Sequence, residues 1–480
     1  MPSPARPSPG PPSGPSSPGL SSPGPGPAPG PAAGPLRRRR LLPAPRNPHD
    51  AEILRLAVPA FGALVAEPLF LFADSVIVGR LGTEPLGGLG VASQALTALV
   101  GISIFLAYGT TAAVARQLGA GHREAAIRQG IDGLWLAGII GAVVLAIGWP
   151  LAPQIVHAFG GSPGVSGQGA TYLRISLLGA PSILVVLAGT GVLRGLQDTR
   201  TPLTVAVAAN VVNVGLNAFL VLGVHWGIAG SAWGTVGAQT AAAAAYLAMV
   251  ARGARRAGVT FGPDLTGLRA AAVTGVSLVV RTLALQAVLI VVTAIAARQG
   301  NAAIAAHQIA FRAWTLLAFA LDAIAIAGQA ITGRYLGAGD AAGARSATNR
   351  MIGWGAVYGV VFGILLVAAI PLLPTIFSAA PDVRRLLPAV LLIAAAQQPV
   401  AGVVFVLDGV LIGAGDQDYL ALAGLVAAGV FAVGAALVIA QHAGLVALWL
   451  AISLWLAARF VTLTVRARSS QWLVTGAVRR

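Results

Sequence analysis

Residues 58–82 read VPAFGALVAEPLFLFADSVIVGRLG, and the class of the chain follows from them. A membrane-crossing helix needs roughly 20 apolar residues at about 1.5 Å each, and this stretch is long enough. Inside it, however, stand Pro59, Glu67, Pro68 and Asp74. An ionisable side chain at membrane depth costs about 2.5–3.5 kcal/mol on insertion scales, so it usually faces a cavity or a partner. Each proline removes a helix hydrogen bond and bends the segment. A bendable helix that buries a carboxyl group suits a device coupling an ion to a change of shape. The plainer alternative is an acid paired with a neighbouring helix for structure alone.

Composition extends this reading to the whole chain. Of its 480 residues 56% are hydrophobic and 10% charged, the mean hydropathy is +0.80, and there is no cysteine. A soluble chain carries about 25% charged residues, so this is an integral membrane protein. The missing cysteines exclude disulfides, zinc–thiolate sites and thiol catalysis. The net charge of +16 comes from arginine without any lysine. These arginines sit in short breaks between apolar runs, where they set topology rather than form a nucleic-acid surface. GAGHR at 119–123 lacks the lysine and preceding strand of a phosphate loop. No catalytic constellation stands out, so no enzyme and no cofactor is expected.

Residues 1–48 are Pro, Gly and Ser with few large apolar side chains, a composition expected to stay disordered. Arg37 to Arg40 and Arg46 near its end hold this tail in the cytoplasm. Apolar spans are then expected near 53–79, 87–115, 130–152, 170–193, 201–223 and 228–251. A second set is expected near 271–296, 304–333, 350–373, 387–413, 419–441 and 444–465. The expected organisation is a first bundle over 49–251, a cytoplasmic linker over 252–270, a second bundle over 271–465 and a cytoplasmic tail over 466–480. Arg123, Arg128, Arg194, Arg200, Arg334 and Arg345 then fall in inner loops, and Arg384 and Arg385 are the exception. Both termini are expected inside, at the plasma (inner) membrane.

The two halves repeat. Arg116-Gln-Leu-Gly-Ala-Gly121 matches Arg334-Tyr-Leu-Gly-Ala-Gly339, Gly191-Val-Leu-Arg-Gly-Leu-Gln-Asp198 matches Gly409-Val-Leu-Ile-Gly-Ala-Gly-Asp416, and Arg80-Leu-Gly82 matches Arg298-Gln-Gly300, all offset by 218 positions. Three matches at one offset indicate duplication. Six spans per copy leave both copies in the same orientation. The expected fold is all-α and polytopic, with twelve transmembrane helices in two six-helix bundles related by a pseudo-twofold axis along the membrane normal, and a substrate path between them.

Depth singles out candidate site residues. Asp74 lies six residues before Arg80, about 9 Å below the outer rim. Asn210, Asn213 and Asn217 share one helix face, and Tyr172 and Thr235 come to comparable depth. A hard cation wants oxygen ligands, and a proton needs a carboxyl group that desolvation makes easier to protonate. The set serves either ion. In the second half Val292 replaces the acid equivalent to Asp74, while Asp322 falls near the midplane and Asp408 in the inner half of its helix. Asp322 could face the central cavity and attract a cationic substrate or carry a second proton, or Arg281 and Arg312 could neutralise it. Glu67, Gln286, His307 and Gln308 are further polar groups that could line a cavity.

The stretch quoted first, followed by FLAYGTTAAVARQLGAG, GVLRGLQDTRTPL, AAHQIAFRAWTLLAFALDAIAIAGQAITGRYLGAGD and FVLDGVLIGAGD, resembles the MATE (multidrug and toxic compound extrusion) transporters, in particular the bacterial DinF branch. The resemblance covers residues 50–465. It implies a secondary active antiporter that exports cationic or amphipathic compounds by alternating access against protons or sodium. It also implies a cation or proton site at Asp74, Tyr172, Asn213 and Thr235, and a bend of the first helix at Pro59. Asn217 stands where the family often has a second aspartate, which favours protons over sodium. The alternative is a flippase for a lipid-linked precursor, which shares the wider superfamily.

Overall fold

The computed structural model describes residues 47–158, 160, 162–377 and 380–479. The tail expected over residues 1–48 lies outside them, apart from Asn47 and Pro48. Helix α1 (Pro48–Gly79) begins at those two residues. The Asn47 side chain accepts the His49 N–H at 3.0 Å, and Pro48 takes a position where no donor is needed. The helix then runs unbroken through Pro59 and Pro68.

The rest of the first half comprises α2 (Thr83–Ser103), α3 (Phe105–Gly119), α4 (Arg123–Ala158), α5 (Pro163–Leu178), α6 (Ala180–Gly195), α7 (Arg200–Asn217) and α8 (Gly227–Arg256). Between α7 and α8 a π-helical turn, Ala218–Gly223, continues α7. The second half comprises α9 (Leu265–Arg298), α10 (Asn301–Gly337), α11 (Ala341–Ala369), the short α12 (Leu373–Phe377), α13 (Pro381–Gly413), α14 (Gln417–Ala440) and α15 (Leu445–Arg468). Among the described residues ten helical segments are long and apolar enough to cross a membrane, α2 with α3 counting as one, and the bent pair α5–α6 makes eleven. Helix α8, with 30 residues, is long enough to cross but, diluted by glycine and alanine, is less apolar than these segments. Helices dominate because a backbone in lipid must satisfy its polar groups within the segment.

Two details depart from expectation. The fourth span is two helices meeting at 53°, because Pro181 at the start of α6 cannot donate back to α5. The linker is shorter than 252–270: α8 continues through Arg256, and the Asp264 side chain caps α9 by accepting the Thr266 N–H at 3.1 Å.

Packing repeats with the sequence. A Cβ on Gly191 would run into the Ala107 carbonyl, and one on Gly195 would meet Thr111 and Val114; in the second half Gly409 faces the Ala325 carbonyl and Gly413 that of Gln329. Gly141 lies against Pro181 as Gly359 lies against Pro399. Each pair carries the 218-residue offset, and small residues are what allow backbones this close in a membrane.

The halves are joined at the end where α3 and α10 finish. There Gly119 packs on the Arg334 carbonyl and Gly337 on the Arg116 carbonyl, so the two copies of one motif meet across the pseudo-twofold axis. Around this seam the Asp50 carboxylate on α1 accepts from Arg350 on α11 at 2.5 and 2.7 Å and from the Trp354 indole at 2.7 Å. Glu52 pairs with Arg334, and Gln197 donates to the Ala330 carbonyl at 2.9 Å. Further along, Ala60 of α1 packs with Ala323 and Ile326 of α10. The far end of the first half has a separate apolar core that includes Val78, Leu89, Val156, Tyr172, Leu173 and Ile228.

Candidate ion-coupling site

Asp74 sits beside that separate core and is only 2% exposed. Its Oδ1 accepts from Asn217 Nδ2 at 2.7 Å and from Ser231 Oγ at 2.6 Å. Asn217 Nδ2 also reaches Ser231 Oγ at 3.4 Å, and Asn213 Nδ2 reaches Thr235 Oγ1 at the same distance. Thr235 donates in turn to the Ser231 carbonyl at 3.1 Å. The hydroxyl of Tyr172, brought in by α5, interacts with Asp74 and with Ser176, Ser231 and Thr235. Four elements of the first half, α1, α5, α7 and α8, thus converge on one carboxylate.

Local sequence explains the convergence. Asn213 with Asn217, and Ser231 with Thr235, are each four residues apart and share a helix face. Asn217 ends α7 where the π-helical turn begins, and such turns occur mostly at functional sites. Opposite it lies Gly234, where a Cβ would occupy the place of Asn217 Oδ1. Only glycine admits the amide.

The amide oxygens of Asn213 and Asn217 are buried without a hydrogen-bond partner among the described residues. Buried acceptors are normally satisfied, and oxygen groups gathered around a carboxylate are the chemistry that suits a proton or a small hard cation. The cluster carries one formal negative charge. Among the described residues no three His, Cys, Asp or Glu side chains gather for a metal.

Asp74, Tyr172, Asn213, Asn217 and Thr235 therefore come together, joined by Ser231 and Ser176. The spacing of Ser231 to Thr235 was the signal that could have found Ser231. Asn210 turns away and donates to the Ala66 carbonyl at 3.0 Å. Pro59 lies within α1, well before this cluster. Glu67 is exposed on α1 and makes no hydrogen bond or ion pair among the described residues. Gln286 is half-buried on α9 and faces Gly101 of α2 across the halves.

His307 does not line an open cavity. It is 1% exposed, stacked on Phe311 and edge-on to Trp449, with Nε2 3.4 Å from Thr293 Oγ1. Neither Arg281 nor Arg312 forms an ion pair with Asp322 among the described residues. Arg281 forms a two-point ion pair with Asp408, which Arg459 joins at 3.1 Å, and Arg312 is exposed. Asp322 is left half-buried on α10, near Tyr108, Arg194 and Arg281 but without an ion pair among the described residues. Which acid an arginine meets depends on helix rotation and crossing, which spacing along one helix does not carry.

Residues 59–219 and 277–438 each match the MatE family model, one match in each half. The chain belongs to this family and is a multi-pass membrane transporter, not an enzyme. Among its relatives, DNA damage-inducible protein F of Escherichia coli K12 is 29% identical over 420 residues, covering 86% of this chain and 91% of that one. Protein DETOXIFICATION 45, chloroplastic, of Arabidopsis thaliana is 28% identical over 436 residues, covering 85% and 77%. A solved structure described as the outward-facing conformation of a multidrug resistance MATE family transporter of the MOP superfamily shares the fold with a TM-score of 0.79 at 19% identity, covering 88% of this chain and 96% of that one.

Proposed function

We propose that this transporter exports cationic or amphipathic small organic compounds in exchange for protons, by alternating access, with Asp74 as the group that carries the proton. The observation behind this reading is the setting of Asp74: buried, held by neutral donors from Asn217 and Ser231, and without a cationic partner among the described residues. An ionised carboxylate uses those donors; a protonated one needs them less and itself becomes a donor, toward acceptors such as the orphan amide oxygens nearby. Taking up a proton therefore changes how α1 is tied to α7 and α8. Such a change biases the equilibrium between the two openings, and proton and substrate compete by linkage. A single formal charge at the site favours protons over sodium. The pH gradient drives export, with about 2.3 kcal/mol per net charge for each 100 mV of membrane potential. The joined end of the halves faces the cytoplasm in this scheme, with both termini, and the relation to the Escherichia coli protein supports placement in the plasma membrane.

Ethidium export from proteoliposomes tests the proposal, with proton and sodium gradients imposed separately on the wild type and Asp74→Asn. Export driven by protons alone and abolished in the variant is expected. Export that continues unchanged in Asp74→Asn would remove Asp74 from the coupling step.

A further inference from the structure

We propose that residues 469–479 form a strap that fastens the two halves together at their joined end, so that the C-terminal segment sets the balance between the two openings. The proposal rests on the alternating-access reading but not on the identity of the coupling ion or the substrate.

The strap is rooted in the second half. Trp472 is 0% exposed, donates from Nε1 to the Ala467 carbonyl at 3.0 Å, and lies under the Arg345 guanidinium, 5.8 Å from its ring centre. Arg345 of α11 also donates to the Ala467 and Ser469 carbonyls at 3.3 and 2.8 Å. Gly476, at φ +110°, gives its N–H to the Leu336 carbonyl of α10 at 2.9 Å; this conformation comes readily only to glycine. Arg479 pairs with Asp416 at 2.8 Å, at the corner between α13 and α14.

The tie to the first half runs through Arg116 of α3, which donates from Nη2 to the Val474 carbonyl. Arg116 is 4% exposed, and its Nε and Nη1 have no hydrogen-bond partner. Among the described residues no carboxylate pairs with Arg116; a buried cation so placed is expensive to keep, and the Val474 carbonyl accepts from it. Arg116 and Gly337, the neighbour of Leu336, are the residues whose backbones meet across the seam. The strap therefore lies over the line along which the halves must part. Beside it opens a cavity of about 600 Å³ between α3, α4, α9 and α14, walled by Thr110, Gln117, Thr274 and Asp416 and by strap residues 477–479. Arg116 itself borders this cavity, so once freed from the strap its guanidinium can be hydrated there, and the seam loses a tie.

The chain has no cysteine, so spin labels can be placed cleanly on His122→Cys and Ala342→Cys. Both positions are exposed, in the loop after α3 and in the first turn of α11 just after α10. Double electron–electron resonance in nanodiscs then compares the full chain, a chain ending at Ser469, and Arg116→Gln with the strap intact. Both altered chains are expected to move the ratio of long to short distances by roughly tenfold toward long, the size of losing one hydrogen bond to a charged group. Distances in Arg116→Gln identical to those of the full chain would overturn the proposal, even where the truncated chain fails to fold. Because the readout is a distance, the strap is judged separately from the proton mechanism, which Asp74→Asn tests.

Discussion

Asp74 accepts from an amide and a hydroxyl, whereas Asp408 accepts from the guanidinium groups of Arg281 and Arg459. The ion cluster of the second half is closed upon itself and holds α9, α13 and α15 together. Breaking a buried pair leaves uncompensated charge and costs about 3–5 kcal/mol. Asp408→Asn is accordingly expected to lower the unfolding temperature in detergent by many degrees. Asp74→Asn replaces one acceptor by another of the same shape and leaves no arginine stranded, so its stability is expected to change by no more than about 1 kcal/mol while coupling is lost. Parallel thermal unfolding of the two variants checks this. Equal losses of stability would contradict the division of labour between the two acids.

Helix packing decides whether the site can assemble at all. On α8, Gly234 provides the space that the Asn217 amide fills, and a methyl group there forces the end of α7 and its π-helical turn outward. Overpacking of this kind costs about 1–3 kcal/mol, less than most folds can tolerate, so Gly234→Ala is expected to reach the membrane folded. On the proposed mechanism export is nevertheless expected to fall steeply, because Asn217 no longer reaches Asp74. A variant with unimpaired export would show that the amide is dispensable. The paired glycines of α6 and α13 make the same kind of close approach without touching any candidate site residue, and serve packing.

For the molecule as a whole, the joined end combines backbone approach at Gly119 and Gly337, the Asp50–Arg350 and Glu52–Arg334 pairs, and the C-terminal strap. Under the proposed alternating access all of them must release together, so each biases that equilibrium without belonging to the site. Gly337→Ala pushes a methyl group into the Arg116 carbonyl and is expected to favour the long distance between labels at positions 122 and 342, at normal folded yield. An unchanged distance distribution would mean that the seam yields locally instead of opening.

The membrane class, the all-helical build and the duplication were legible in the sequence, because lipid leaves a backbone few options and an offset of 218 residues survives in glycine and arginine motifs. Much of the candidate site was legible too: Asp74 is costly at membrane depth, and Asn213 and Asn217 share a face by helical spacing alone. Tertiary structure decided the rest. Ser231 enters the site only because α8 lies against α1 and α7; Arg281 meets Asp408 rather than Asp322 through the crossing of α9 with α13; and residues 469–479 become a strap through partners more than 60 positions away along the chain. A period along one helix names the face a side chain occupies. The helix that covers that face is chosen by packing between distant segments.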